Sequence, residues 1–459
     1  MEVPRPFAAV REMVDEAARR SPARLTLTAF AGIVAVFTGL LSLPAATVDG
    51  RTAPFVDALF TATSAVCITG LTVVDTGTYW SSFGQAVIIV GIWVGGLGVM
   101  TLASILGMAV SRRIGLTQKL LTAGEVGSSG LGEVGSLIRI VVITSLTIQG
   151  GIAALLIPRF LAVEEYAGRA GEAVWHGVFY AISAFNNAGF VPTEAGLVPY
   201  VGDWLVCLPI ALGVFIGSLG FPVIFNLARR GWHLHALSLH SKLTIATSLM
   251  LLGVTIALVG AMEWGNPATV GGLEGDDKVL ATLFSGVMPR SGGFSTFDTS
   301  QMHEGSWLLL DAVMFIGGGS ASTAGGIKVT TFAVLLLAIL SEARGDRDME
   351  AFGRRVPRET LRLAVAVALV GVVLVFTATL LLLEITSLTL DVVLFETISA
   401  FATVGLSTGI TPDLPDAAKY VLSALMFAGR TGTITVAAAL ALRDRRRVIR
   451  YPEERPIIG

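Results

Sequence analysis

Four short stretches of the 459-residue chain end in a glycine followed by a large apolar residue, and they align without gaps. They read Ser64-Ala65-Val66-Cys67-Ile68-Thr69-Gly70-Leu71, Ser183-Ala184-Phe185-Asn186-Asn187-Ala188-Gly189-Phe190, Val287-Met288-Pro289-Arg290-Ser291-Gly292-Gly293-Phe294 and Ser399-Ala400-Phe401-Ala402-Thr403-Val404-Gly405-Leu406. One such glycine could be a helix-ending turn. Four in register signal internal repetition. The chemistry this pattern serves is coordination of a dehydrated cation. Carbonyls turned into a narrow pore can replace the water shell. Turning consecutive carbonyls inward demands unusual backbone angles, and glycine reaches positive φ without steric cost. The candidate ligands are the carbonyls of Cys67, Ile68 and Thr69; Asn186, Asn187 and Ala188; Arg290, Ser291 and Gly292; and Ala402, Thr403 and Val404. Gly70, Gly189, Gly293 and Gly405 close the four loops. Thr403-Val404-Gly405 is also how a potassium-channel filter sequence begins.

These loops need elements to hold them. Hydrophobic residues make up 53% of the chain and charged residues 14%, against about 25% charged in an ordinary soluble protein. That excludes a cytosolic enzyme, a secreted disulfide scaffold and a disordered chain. A net charge of −2 gives no basic field for nucleic acid, and the two cysteines form no ligand spacing. Apolar runs long enough to cross a bilayer occupy 25–44, 82–110, 137–157, 204–228, 243–261, 306–340, 361–383 and 418–442. Between them lie shorter apolar segments at 54–66, 173–185, 279–288 and 391–401, about half the length needed to span. Each runs into one of the four glycine loops. Of the 32 Lys and Arg residues, only Arg51, Arg159, Arg169, Lys278, Arg290 and Lys419 fall on one side of this pattern, while Lys328 and Arg430 lie inside spans. The rest occupy both termini and the connections between repeats. The positive-inside rule then puts both termini in the cytoplasm, with the short segments dipping in from outside.

The fold expected is an all-α polytopic membrane protein: four concatenated M1–pore helix–M2 repeats with pseudo-fourfold symmetry around one pore. A cytoplasmic segment 1–24 precedes repeats at 25–110, 136–228, 241–340 and 359–442, and a cytoplasmic tail 443–459 follows. The 306–340 run is broken by Gly317-Gly318-Gly319-Ser320-Ala321-Ser322-Thr323-Ala324-Gly325-Gly326. It lacks the GxxxxGK[ST] spacing of a nucleotide loop and reads as an intramembrane loop beneath the glycine loops that obstructs ion flow.

The chain resembles the Trk/Ktr/HKT superfamily of potassium transporters, and within it the membrane subunits of bacterial Ktr uptake systems. The resemblance runs from about residue 25 to the C-terminus. It is carried by the four loops, by Leu71-Thr72-Val73-Val74-Asp75-Thr76-Gly77-Thr78 after the first, and by the stretch from Gly317 to Lys328. It implies potassium uptake across the bacterial plasma membrane, a selectivity filter at the four loops and a gate at 317–326. It further implies a homodimer standing on a cytosolic ring of nucleotide-binding regulatory subunits resembling KtrA, nucleotide entering only through that partner. Potassium is the transported ion, with sodium the second candidate; glycine rather than serine at Gly70 implies the potassium preference. Where the family has Thr-Ala before the third glycine, this chain has Ser291-Gly292, a change expected to loosen that loop.

Several residues carry expectations of their own. Charge inside a membrane is costly and marks function. Lys328 either snorkels to the cytoplasmic interface or faces the pore. Arg430 should face the pore or the gate loop, hydrogen-bond loop carbonyls and raise the barrier to cations. Arg290, in a filter loop, should be ion-paired, with Glu396 or Asp75 as partner. The His233, His235 and His240 group reads as a solvated loop or partner contact, His176 as packing. Gly91xxxGly95 and Gly213xxxGly217 read as close helix packing. No nucleophile–base pair or acid cluster points to catalysis. The alternative is a sodium-coupled secondary transporter of a small solute with broken helices.

Overall fold

The computed structural model describes residues 22–98, 132–230 and 233–442. The segment up to residue 21, the inner end of the 82–110 run with the connection after it, and the tail 443–459 lie outside the described residues. The chain is almost entirely helical. In order come α1 (Pro22–Leu41), α2 (Phe55–Cys67), α3 (Ser82–Gly98), α4 (Gly132–Leu161), α5 (Ala170–Phe185), α6 (Trp204–Leu219), α7 (Phe221–Arg230) and α8 (Leu239–Glu263). Then follow α9 (Gly275–Val287), α10 (Glu304–Ile316), α11 (Val329–Arg344), α12 (Arg358–Ile385), α13 (Leu390–Phe401) and α14 (Asp416–Leu442). Among the described residues, 139–161 of α4, all of α8 and all of α12 are each long and apolar enough to cross a membrane.

The long helices are built for lipid. Along α12, Leu369, Val372, Val373, Phe376 and Leu380 are exposed, at helical spacing. The opposite face buries Ala364, Val367, Gly371, Val375, Ala378 and Leu382. Large apolar side chains outside and small ones inside let helices approach closely in a solvent that does not drive them together.

The four short helices α2, α5, α9 and α13 correspond to the short apolar segments. Each carries an acidic residue in its first turn: Asp57, Glu172, Asp276 with Asp277, and Asp391. An acid there offsets the positive end of the helix dipole, while the negative C-terminal end runs into the glycine loop, where it favours a cation.

Two of the expected spans are not continuous. The 306–340 run parts into α10 and α11 around residues 317–328, as the glycines suggested. The 204–228 run, read as one span, is corrected: α6 and α7 meet at 97°. The corner is Gly220, at φ +90°, where a side chain would strike the Ser320 carbonyl oxygen at 2.5 Å. The apolar run continues through Phe221, so hydropathy alone does not reveal the bend. The elbow receives the 317–328 loop. Gly319 N donates to Ser218 O at 2.7 Å, and Phe221 N to Ala321 O at 3.2 Å. Irregular backbone at membrane depth survives only when its polar groups are paired in this way.

The first and last units close on each other. Lys419 of α14 meets Asp57 of α2 at 3.0 Å, both side chains largely buried. On the other side of the protein a hairpin, β1 (Met349–Ala351) with β2 (Arg354–Val356), joins α11 to α12. Its Phe352 and Gly353 both have positive φ, the tight two-residue turn that suits strand twist.

Candidate ion-conduction site

The four loops come together. Gly70, Gly189, Gly293 and Gly405 have φ of 91°, 68°, 72° and 92°. A Cβ placed on Gly70 would lie 3.0 Å from the Cα of Gly189; from Gly189 to Gly293 the distance is 3.0 Å, from Gly293 to Gly405 3.3 Å, and from Gly405 back to Gly70 3.0 Å. Added side chains would also overlap the carbonyl oxygens of Ala188, Val404 and Thr69 in the neighbouring loops. The four glycines thus form a closed ring in chain order, with the carbonyls before each turned toward its neighbour. Only glycine fits such a ring, for reasons of both φ and space.

Two residues before each glycine the backbone is left-handed again, at Ile68, Asn187, Ser291 and Thr403, with φ of 58°, 59°, 68° and 47°. A non-glycine residue held there costs about 1–3 kcal/mol and persists only where its surroundings over-determine it. The serine of the shared Ser-Ala pair is part of what determines it. Ser64 Oγ accepts from Gly70 N at 3.0 Å and Ser399 Oγ from Gly405 N at 3.1 Å, while Ser183 Oγ donates to Phe190 O at 2.8 Å.

A second layer of glycines supports the ring from behind. Side chains on Gly95 of α3, Gly217 of α6 and Gly429 of α14 would overlap the carbonyl oxygens of Val66, Phe185 and Phe401. Each of those carbonyls stands four residues before its ring glycine. Gly95 and Gly217 are close-packing glycines as read, but their neighbour is the backbone that leads into the ring. Gly429 was missed; its only signal was the equivalence of its unit to the others.

Residues 317–328 lie directly under the ring. Thr323 Oγ1 sits 2.7 Å from Asn187 Oδ1 and 3.1 Å from Gly217 O. Gly325 N donates to Ser291 Oγ at 3.2 Å, and Ser291 Oγ donates to Thr403 O at 2.6 Å. A side chain on Gly325 would overlap Ala402 O and Thr403 Oγ1. The loop therefore touches the second, third and fourth ring loops at once. Its own fold is closed by Gly318 N to Gly325 O at 3.3 Å, Ser322 Oγ to Gly319 O at 2.6 Å, and Ser320 Oγ with Thr330 Oγ1 at 2.8 Å. Gly317 and Gly326 both have positive φ and lie against each other.

Both intramembrane cations reach this loop. Arg430 is buried and donates Nη1 to Thr323 O; its Nε and Nη2 have no partner among the described residues. Lys328, at φ +83°, donates Nζ to Ala324 O at 2.5 Å and Gly325 O at 3.4 Å. Its amine turns back onto the loop instead of reaching for an interface.

Arg290 departs from expectation. Its guanidinium is buried and reaches no carboxylate among the described residues; it donates to Ser248 Oγ at 2.9 Å and Ser248 O at 3.3 Å, and lies 5.5 Å from the Phe215 ring centre. The expected pairing with Glu396 or Asp75 is corrected. Arg290 stands three residues before its glycine and passes between α6 and α8, whereas both acids serve segments that follow a ring glycine. Glu396 accepts from Ser407 Oγ at 3.2 Å and from Thr411 Oγ1. Asp75 accepts from Thr78 N at 2.8 Å and Thr78 Oγ1 at 2.9 Å. Gly292 of the third loop is closely packed. A side chain on Gly292 would strike Met288 Sδ at 2.6 Å and Val214 Cγ1 at 2.9 Å, so the glycine lets these two side chains close over the backbone.

His233 and His235 are exposed, with His233 Nδ1 near Arg230 O at 3.1 Å, and no group of three metal-ligating residues occurs among the described residues. His176 packs beside Tyr166, its Nδ1 2.8 Å from the hydroxyl.

Comparison with known proteins agrees with this geometry. Residues 20–446 match the TrkH family, described as cation transport protein. The chain is 36% identical over 98% of its length to the Ktr system potassium uptake protein B of Bacillus subtilis, covering 99% of that protein. It is also 36% identical over 95% of its length to the protein of the same name from Vibrio alginolyticus, covering 94% of it. The crystal structure of the potassium transporter TrkH from Vibrio parahaemolyticus superposes with a TM-score of 0.69 at 18% identity, over 89% of this chain and 84% of that one. The chain is a polytopic membrane protein and belongs to the TrkH family of cation transport proteins.

Proposed function

We propose that this chain carries potassium inward across the plasma membrane, through a filter of backbone carbonyls lined by the loops that end at Gly70, Gly189, Gly293 and Gly405. The single observation that carries the reading is the closed ring of those glycines. A hole bounded by main-chain oxygens suits a dehydrated monovalent cation and offers nothing to an organic solute. Entry is driven by the membrane potential, worth about 2.3 kcal/mol per charge at 100 mV. The four repeats at 25–110, 136–228, 241–340 and 359–442 each supply one quarter of the filter, and both termini are cytoplasmic.

The 317–326 loop is the gate, pinned against the inner face of the ring by Thr323 and Gly325 and held there by Arg430. Lys328 and Arg430 add positive charge below the filter and disfavour cations while the loop stays in place. Release is the work of a cytosolic nucleotide-binding ring on which a homodimer of this chain stands. The names of the Ktr relatives, which call them parts of uptake systems, support a partner subunit.

The test is rubidium tracer uptake into vesicles containing the purified chain, competed with potassium, sodium and organic solutes. Potassium should compete best and organic solutes not at all. Competition by an organic solute with strict dependence on sodium would replace the filter with a broken-helix carrier.

A further inference from the structure

We propose that Ser291 couples the 317–328 loop to the ring: while the loop is seated, Ser291 holds the inner end of the ring in a state that binds a cation poorly. The proposal rests on the filter reading above and assigns one side chain within it. Ser291 is fully buried, and its hydroxyl does two things at once. It accepts from Gly325 N of the loop at 3.2 Å and donates to Thr403 O of the fourth ring loop at 2.6 Å. These bonds form a relay from loop amide to serine hydroxyl to ring carbonyl, and each bond polarises the next.

A carbonyl that accepts a short bond from a hydroxyl has spent part of its charge on a proton. It is a poorer ligand for a cation that must recover its hydration energy from such oxygens. Once the loop withdraws, Ser291 Oγ loses its donor. The hydroxyl can then rotate, which frees Thr403 O for the ion. The surroundings admit this switch. Thr403 Oγ1 is buried with no partner among the described residues, and Gly325 comes so close to it that no side chain fits between them. Seating the loop thus obstructs the path and also lowers the affinity of the inner site, so the two effects act together.

The test is rubidium uptake by the full chain in vesicles, with half-saturating potassium concentration and maximal rate measured separately. Ser291→Ala removes the relay. Ser291→Gly does the same at a φ of +68° that glycine adopts freely, which keeps a folded variant available. Both should lower the half-saturating concentration by roughly fivefold, the worth of one ordinary hydrogen bond, and both should raise the basal rate. Ser291→Thr, which keeps the hydroxyl, should return both quantities toward wild type. A purely structural serine would change the yield of folded protein and leave the half-saturating concentration alone. An unchanged value in both variants therefore overturns the coupling, whatever the rate does. Absence of potassium-competed uptake by the wild type overturns the filter reading itself.

Discussion

Replacing Gly429 with alanine tests whether helix glycines hold the ring in place. A Cβ at Gly429 would overlap the carbonyl oxygen of Phe401. A carbon and a carbonyl oxygen settle at about 3.3–3.6 Å even in a favourable C–H···O contact. The α14 backbone would therefore have to retreat roughly 1.5 Å from α13. Overpacking of this kind costs about 1–3 kcal/mol, and the gain in helix propensity from Gly to Ala returns up to about 1 kcal/mol. The retreat also carries Arg430, the next residue, away from Thr323 O, so the 317–328 loop loses a charge-assisted bond. Gly253, in the middle of α8, has no atom within 4 Å of where its Cβ would stand. Gly253→Ala is thus the matched control and should be neutral or stabilising. The assay is thermal unfolding of the purified protein together with basal rubidium uptake. Gly429→Ala should melt several degrees below Gly253→Ala and leak more per folded molecule. If the two variants melt together and transport alike, the second glycine layer does not support the ring.

Arg430→Ala should raise basal uptake roughly tenfold, the lower value of a hydrogen bond to a charged group; an unchanged rate and unchanged regulation in vesicle flux would remove Arg430 from the gate. Arg290→Gln should reduce the yield of folded protein more than selectivity, because Arg290 ties the third loop to Ser248 and packs on Phe215 and touches no acid; normal expression with altered potassium-over-sodium competition would contradict that. Lys419→Ala should destabilise by about 1–3 kcal/mol, the cost of leaving the largely buried Asp57 carboxylate without its partner. Adding Asp57→Asn should recover much of that loss in thermal melts, and a double variant no better than Lys419→Ala alone would show that the ion pair does not close the first unit onto the last.

The ring was legible in the sequence because glycine at positive φ leaves a mark at the residue level, and four marks in register exclude coincidence. The left-handed turns at Ile68, Asn187, Ser291 and Thr403 left none. Asparagine tolerates that conformation, but isoleucine, serine and threonine do not favour it; there the surrounding fold imposes it. The bend at Gly220 was hidden because Phe221 and its successors keep the run apolar, and the partner that demands the bend is 100 residues away in the chain. Arg290 was misjudged for a physical reason. Formal charge suggested an acid as partner, whereas a buried guanidinium can also be held by a serine hydroxyl, a carbonyl and an aromatic face.

A single chain with four unequal loops can place its regulation in one of them, which a ring of four identical chains cannot do. The first, second and fourth units share two devices. A serine six residues before the ring glycine binds the loop: Ser64, Ser183 and Ser399. A helix glycine presses on the carbonyl four residues before it: Gly95, Gly217 and Gly429. The third unit has neither. Val287 stands in place of the serine, and Gly317, at the corresponding place on the second helix, faces Gly325 and Gly326 of the intramembrane loop. There the helix has opened, and the loop it releases is the one that bonds Ser291 and meets Arg430. Arg290, within the third loop, instead anchors it outward to Ser248 of α8. Both departures from these two shared devices therefore fall in the third unit. The loop that they free is the one we propose as the gate.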